Sequence, residues 1–328
     1  MINMFLATTS RIMSRYRISA KYTRQMSFIP RRTLLYVPGC DERKIQKARS
    51  LDADLIALDC EDGVAINQKG SARQKIRELL DLGEFPKSRP EWGVRVNSVS
   101  SGLCDEDLKV ILGGKNQPPC ILLPKLDTVE EIIWFSDTVK KLFHNNNNTI
   151  NLIVFSETSI SMMNLPSIVQ AVIDAQTNTC IKLVALVVGS DDYVADIGAT
   201  RTKDCSEILY ARQRLVMVAK AFGLQAIDMV HIDLQDLEGL QITSEQGASW
   251  GFTGRQIIHP SQVSIVHKAY SPTQKKVDWA SKLIDAFDAH QKLGKGAFVF
   301  ENQMIDMPTL KQAQNIVTLA NLTLHHKD

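Results

Sequence analysis

The chain has 328 residues, 44% hydrophobic and 23% charged, with a formal net charge of +2. That supplies a large core for one big domain or two smaller ones, and no apolar run reaches the ~18 residues of a membrane span. Its six cysteines (Cys40, Cys60, Cys104, Cys120, Cys180, Cys205) form no CxxC pair, so neither a zinc site nor a disulfide framework is signalled. The chain opens with Arg11, Arg15, Arg17, Lys21, Arg24, Arg31 and Arg32 before its first acid, Asp41. A basic, hydroxyl-rich, acid-free start is expected to be a mitochondrial targeting segment over residues 1–30, cleaved around residues 20 to 30. Taking those seven from 38 leaves 31 basic against 36 acidic residues, a body too acidic to expect a nucleic-acid partner.

From residue 33 on, short aliphatic runs alternate with amphipathic segments. The strand candidates are 33–39, 55–62, 92–98, 120–126, 151–158, 182–192, 226–233 and 254–260, each bounded by polar or turn residues. Helices are expected over 105–112, over 128–143 with a Thr128/Glu131 capping box, over 166–176 with Pro166 in the first turn, and over 206–222 with Gly223 as the cap. "HNNNNT" (144–149) reads as an exposed loop. Eight strands alternating with helices predict a (β/α)8 TIM barrel over residues 31–270; a doubly wound sheet competes, but no G-x-G-x-x-G follows the first strand. Residues 271–328 are expected to add a helix over 273–292, an irregular link over 294–308 and a last helix with Leu310, Ala313, Val317 and Ala320 on one face.

In a barrel the active site lies at the carboxyl ends of the strands. Those ends read Pro38-Gly39, Glu61-Asp62, Arg95 and Asn97, Lys125, Glu157, Asp191-Asp192, Asp228 and His231, and His259. Carboxylates converging on one mouth repel one another, and a divalent cation relieves that repulsion. With no accompanying cysteine or histidine cluster the donors are hard oxygens, which suit Mg2+, with Mn2+ as the alternative, better than zinc. Magnesium takes one or two carboxylates and keeps waters, so two direct protein ligands are expected. Lys125 as a Schiff-base lysine is the less economical alternative.

"LLYVPGCDERKIQKA", "ALDCEDGVAINQKGSAR", "VRVNS", "LLPKL", "SET", "GSDDYVADIGA" and "GRQIIHP" follow one another as in the citrate lyase β-subunit-like family of HpcH/HpaI-type aldolases, which the chain resembles from about residue 31 to its end. The stretches "VNSVSSGL", "LYARQ", "KAFGLQAID", "GKGAF" and "MIDMP" are most similar to its animal mitochondrial branch. The resemblance implies a matrix enzyme that cleaves citramalyl-CoA to acetyl-CoA and pyruvate. It implies that Glu157 and Asp192 ligate the cation and that Arg95 contacts the substrate carboxylate or thioester oxygen. Tyr36, Arg43 and Lys47 would hold coenzyme A, Ile258 and His259 would touch substrate, and Asp306 would be the catalytic aspartate of a carboxyl-terminal lid. Glu61 and Asp62 become an acidic pair beneath the metal, holding its waters or orienting Arg95. Asp191, where the family often has Glu, is expected behind the ligands. A homotrimer with the lid lent by a neighbouring subunit is also implied.

Physical considerations accompany these roles. Arg43 and Lys47, four apart on the first helix, share a face just past the "VPG" turn, where phosphate is welcome. Cys60 is expected to pack and do no chemistry. The alternatives at the same site are a malyl-CoA thioesterase or a malate- or β-methylmalate-synthase-like condensation; a non-catalytic acyl-CoA-binding subunit is the alternative of another class.

Overall fold

Eight parallel strands close into a barrel in the computed structural model, which describes residues 29–83, 85, 90–143, 149–292 and 298–324. The expected targeting segment lies almost wholly, and the Asn-rich loop mostly, outside the described residues. The strands are β1 (Thr33–Pro38), β2 (Leu55–Asp59), β3 (Glu91–Arg95), β4 (Cys120–Leu123), β5 (Ile150–Ser156), β6 (Ile181–Val188), β7 (Gln225–Asp228) and β8 (Gly254–Ile257). Pairing of Thr33 with Arg255 closes the ring between β1 and β8. Around it run α1 (Glu42–Ala48), α2 (Lys69–Asp81), α3 (Cys104–Leu112), α4 (Val129–Leu142), α5 (Ser159–Ala175), α6 (Ser190–Asp196), α7 (Leu209–Ala221), α8 (Leu237–Trp250) and α9 (Val263–Ala269). No described helix is long and apolar enough to cross a membrane.

Alternation along the strands sorts the side chains. Leu34, Leu55, Ala57, Leu122, Ile153, Phe155, Val187 and Ile227 fill the barrel interior, with Tyr36 packed against them. Their neighbours Leu35, Ile56, Leu58, Val94, Ile121 and Leu186 face the helices. Cys60 belongs to that outer core, fully buried, and burial pushes its thiol well above its usual range. The Thr128 capping box forms as expected, with both reciprocal bonds present.

Three local expectations change. Most strands end sooner than the apolar runs suggest: β2 stops at Asp59, so Glu61 and Asp62 lie in the loop beyond it, and Asp191 and Asp192 occupy the first turn of α6. Pro166 sits inside α5, not at its start, because Thr158 caps the helix eight residues earlier, accepting from the Ser161 N–H. A proline there removes the N–H that would reach the Met162 carbonyl. Arg214 replaces it, donating from Nε to Met162 O at 2.6 Å and from Nη2 to Met163 O at 3.2 Å. The third change is the link after α10 (Gln274–Lys292). It contains an antiparallel pair, β9 (Phe298–Phe300) and β10 (Gln303–Ile305), before α11 (Met307–Leu324). Its turn residues Glu301 and Asn302 both have positive φ, the two-residue hairpin geometry, which a glycine-free sequence hides. Ala280, Leu283, Ile284 and Phe287 of α10 form a second core with Ile305, Leu310 and Ala313.

Candidate active site

β2 and β3 build one half of the mouth. Asp59 and Arg95 are register partners at the ends of neighbouring strands, and both follow the inward parity of Ala57 and Gly93. Arg95 donates from Nε and Nη2 to the two Asp59 oxygens, at 2.7 and 2.6 Å. Its Nη1 forms an ion pair with Glu61 Oε2 at 2.8 Å, and Nη2 keeps a second N–H beyond the one it gives Asp59. Asp59 also accepts from the Glu61 and Gly63 N–H groups, each at 2.8 Å, and so fixes the acidic loop and the arginine together. The guanidinium lies 4.5 Å from the Tyr36 ring centre. Burial would lower the Arg95 pKa, but Asp59 outweighs it and raises it, so the charge is permanent. Tyr36 donates to Gln256 Oε1 at 2.8 Å; Gln256 in turn donates to the Val188 and Asp228 carbonyls at 2.9 and 3.1 Å.

The other half comes from the loops after β4, β5 and β6. Glu157 is buried at 4% exposure. Burial, with Asp192 and Glu61 nearby, pushes its carboxyl up to about 8. Burial also raises Asp192 and Glu61, against opposition from Lys125 at the first and chiefly from Arg95 at the second. Lys125 has φ 48, a left-handed conformation costly for a residue with a side chain. That turn aims its N–H at Glu157 Oε2, 2.9 Å away. Its ammonium meets Glu61 Oε1 at 2.8 Å, Asp62 Oδ2 at 3.0 Å and Asp192 Oδ1 at 3.6 Å. Partial burial would raise Asp62, but the Lys125 hydrogen bond holds it below its usual range. Gly189 is needed for space: its N–H donates to Ser156 O at 3.0 Å, and a Cβ there would fall within the Glu157 carboxylate.

The structure gathers Tyr36, Glu61, Asp62, Arg95, Glu157 and Asp192 at one mouth. Asp62, expected beneath the metal, is instead at the rim with a side chain 60% exposed, and it pairs with Lys125, not Arg95. Asp191 turns to Arg201, which also donates to Ser190 Oγ at 2.8 Å and Val230 O at 3.1 Å, tying the β6 and β7 loops together. Arg43 and Lys47 are exposed on α1, whose first turn is already capped by Asp41 accepting from Lys44 N at 3.1 Å. Ile258 and His259 are exposed; the His259 ring caps the turn that follows, Nδ1 lying 2.8 Å from Ser261 Oγ. Asp306 is exposed and caps α11, accepting from Thr309 N at 3.0 Å and Thr309 Oγ1 at 2.8 Å, bonds that lower its pKa.

Two strand-end residues read as facing the mouth face the helices. Asn97 joins a buried network, taking a 2.6 Å bond from Lys69 Nζ and donating to Cys60 O and Asp107 Oδ2. Asp228 follows the outward parity next to Ile227 and is gripped by Arg212 at 2.9 and 2.6 Å. Conversely, Asp59, Gln256 and Gly189 were missed as contributors. Counting inward parity from Ala57 through Asp59 would have found the first; the other two depend on contacts between strands far apart in sequence.

The residues present fit a hard divalent cation. Glu157 and Asp192 are oxygen donors that lie close enough to repel, and each is held up in pKa by burial and like charge, the condition a cation relieves. Among the described residues no group of three or more His, Cys, Asp or Glu forms a metal cage. A two-carboxylate site completed by water and substrate oxygens is the arrangement magnesium favours.

Comparison with known proteins agrees with this chemistry. Residues 32–260 match the HpcH/HpaI aldolase/citrate lyase family. The chain is 50% identical over 300 residues to the mitochondrial citramalyl-CoA lyase of Homo sapiens, covering 89% of this chain and 86% of that one. It is 27% identical over 277 residues to a (3S)-malyl-CoA thioesterase of Cereibacter sphaeroides, covering 84% and 90%. Among solved structures it resembles the protein CitE of Mycobacterium tuberculosis in complex with magnesium, acetoacetate and coenzyme A, with a TM-score of 0.71, 29% identity, and coverage of 90% of this chain and 99% of that one. A closed eightfold barrel with an acidic, arginine-bearing mouth and a sequence matched over most of its length places the chain in the HpcH/HpaI aldolase/citrate lyase family.

Proposed function

We propose that the protein is a magnesium-dependent citramalyl-CoA lyase of mitochondria, acting in the matrix after loss of an amino-terminal targeting segment. The observation that carries this reading is the half-identity to a citramalyl-CoA lyase across nearly the whole chain, on a barrel whose mouth sets two repelling acids opposite a fixed arginine. Glu157 and Asp192 would hold the cation; Mn2+ suits the same donors. When bound, it lowers the pKa of a substrate hydroxyl and favours the ketone that forms.

The chain's own groups account for the rest. Arg95, clamped by Asp59 and Glu61, turns its free N–H groups toward the oxyanion of the thioester enolate as the carbon–carbon bond breaks. Tyr36, stacked with Arg95, would hold coenzyme A together with the exposed Arg43 and Lys47, whose charges suit its phosphates. Ile258 and His259 line the substrate approach. Asp306 is ionised in its capped position, so it starts as base. It takes the hydroxyl proton, the bond pair passes to the acetyl-CoA enolate, and the same proton returns to the enolate carbon. The separate core of residues 271–328 suits a lid, which a neighbouring subunit of a trimer would supply to the barrel of residues 31–270.

A second reading, hydrolysis of malyl-CoA, is favoured by the resemblance to the malyl-CoA thioesterase. Turnover of the two thioesters separates them. Purified protein with magnesium should release pyruvate and acetyl-CoA from citramalyl-CoA. Faster formation of free coenzyme A from malyl-CoA would reverse the assignment.

A further inference from the structure

The mouth also holds an ammonium, that of Lys125, set among its acids. Lys125 has a positive φ in the loop after β4, and both its backbone N–H and its ammonium face acids. Its N–H is bonded to Glu157 and its ammonium lies among Glu61, Asp62 and Asp192. The backbone bond to Glu157 and the side-chain approach to Asp192 therefore issue from one strained residue.

We infer that Lys125 is a positioning residue whose ammonium, beside Asp192, sets a weak intrinsic affinity for the divalent cation, so that the cation is held firmly only together with an anionic substrate. This rests on the Glu157/Asp192 metal reading above. A cation entering between those two acids meets an ammonium already paired with Asp192, and like charges at such separations repel. A substrate carboxylate adds negative charge beside both cations and offsets that repulsion. The coupling is reciprocal: the cation then tightens the substrate as much as the substrate tightens the cation. A merely structural lysine predicts the opposite sign, because its loss would loosen the acids and weaken metal binding.

The experiment is calorimetric titration of Mg2+ into chelator-stripped protein, with and without pyruvate as the anionic probe. Lys125→Gln is expected to bind Mg2+ alone on the order of ten-fold more tightly than wild type. Lys125→Arg keeps the charge and should bind as weakly as wild type. Pyruvate should tighten Mg2+ in wild type and do so less in Lys125→Gln. Lys125→Gly, which suits the left-handed backbone, carries the same prediction should the Gln variant misfold. Equal or weaker Mg2+ binding without the ammonium overturns the inference. If Asp192→Asn binds Mg2+ as wild type does, the metal reading itself is overturned instead.

Discussion

At the amino-terminal end of the barrel, Arg31 donates to both oxygens of Glu91, at 2.6 and 2.9 Å, and Asn151 completes the acid at 2.8 Å. Beside it Arg32 grips Asp54 with bonds of 2.8 and 2.9 Å. Each acid there has a matching guanidinium. At the carboxyl end Glu61, Asp62, Glu157 and Asp192 share Lys125 and part of Arg95, and three of the four have raised pKa values. Both ends are charged, but only one is short of cations. A balanced buried pair contributes to a fixed fold; an unbalanced set stores repulsion that a ligand can relieve. The contrast separates the end that plugs the barrel from the end that reacts.

The sharpest way to break the contrast is to neutralise one acid at each end. Glu157→Gln or Asp192→Asn should lower kcat with citramalyl-CoA by a factor on the order of 10³ or more, without lowering the melting temperature of chelator-stripped protein. Glu91→Gln should do the reverse. It leaves Arg31 buried without a counter-charge, at a cost of about 3–5 kcal/mol in denaturant unfolding, while kcat per folded molecule is retained. Equal stability losses at both ends would erase the distinction.

Arg95→Lys comes next. It keeps the charge but cannot reproduce the fork on Asp59, so kcat should fall on the order of 10²-fold with the fold intact by circular dichroism.

The pH dependence sharpens the comparison further. A carboxyl at about 8 in the folded state, against an ordinary 4.5, keeps its proton longer than the unfolded chain does. Folded stability from Glu157 is therefore greatest below the unfolded value and falls as pH rises toward about 8. Mg2+ competes with that proton. The Mg2+-induced rise in melting temperature should grow from about pH 5 to about pH 8 and flatten above, as differential scanning fluorimetry can follow. The smallest effect belongs outside the mouth: Arg43→Ala with Lys47→Ala should raise KM for the CoA thioester several-fold and leave kcat near wild type.

The strands were legible because each carries a period-two aliphatic run, and the Thr128 box because its signal is four residues long. Pro166 was misplaced because the donor that compensates it, Arg214, lies on another helix. The hairpin after α10 was missed because its turn adopts positive φ at Glu301 and Asn302 without a glycine. At the site, Glu61 and Asp62 were expected to orient Arg95, whereas strand parity selects Asp59 as its grip. Parity also turns Asp228 outward. The left-handed turn at Lys125 and the close approach of Gly189 to Glu157 are properties of the closed barrel, not of any short stretch.

The central claim, that the carboxyl end of the barrel is built around a cation held by Glu157 and Asp192, has one direct measurement. Crystals soaked in Mn2+ would be measured for anomalous scattering. A peak between those two carboxylates is predicted. A peak elsewhere with that position empty, at Glu61 and Asp62 for example, would contradict the account.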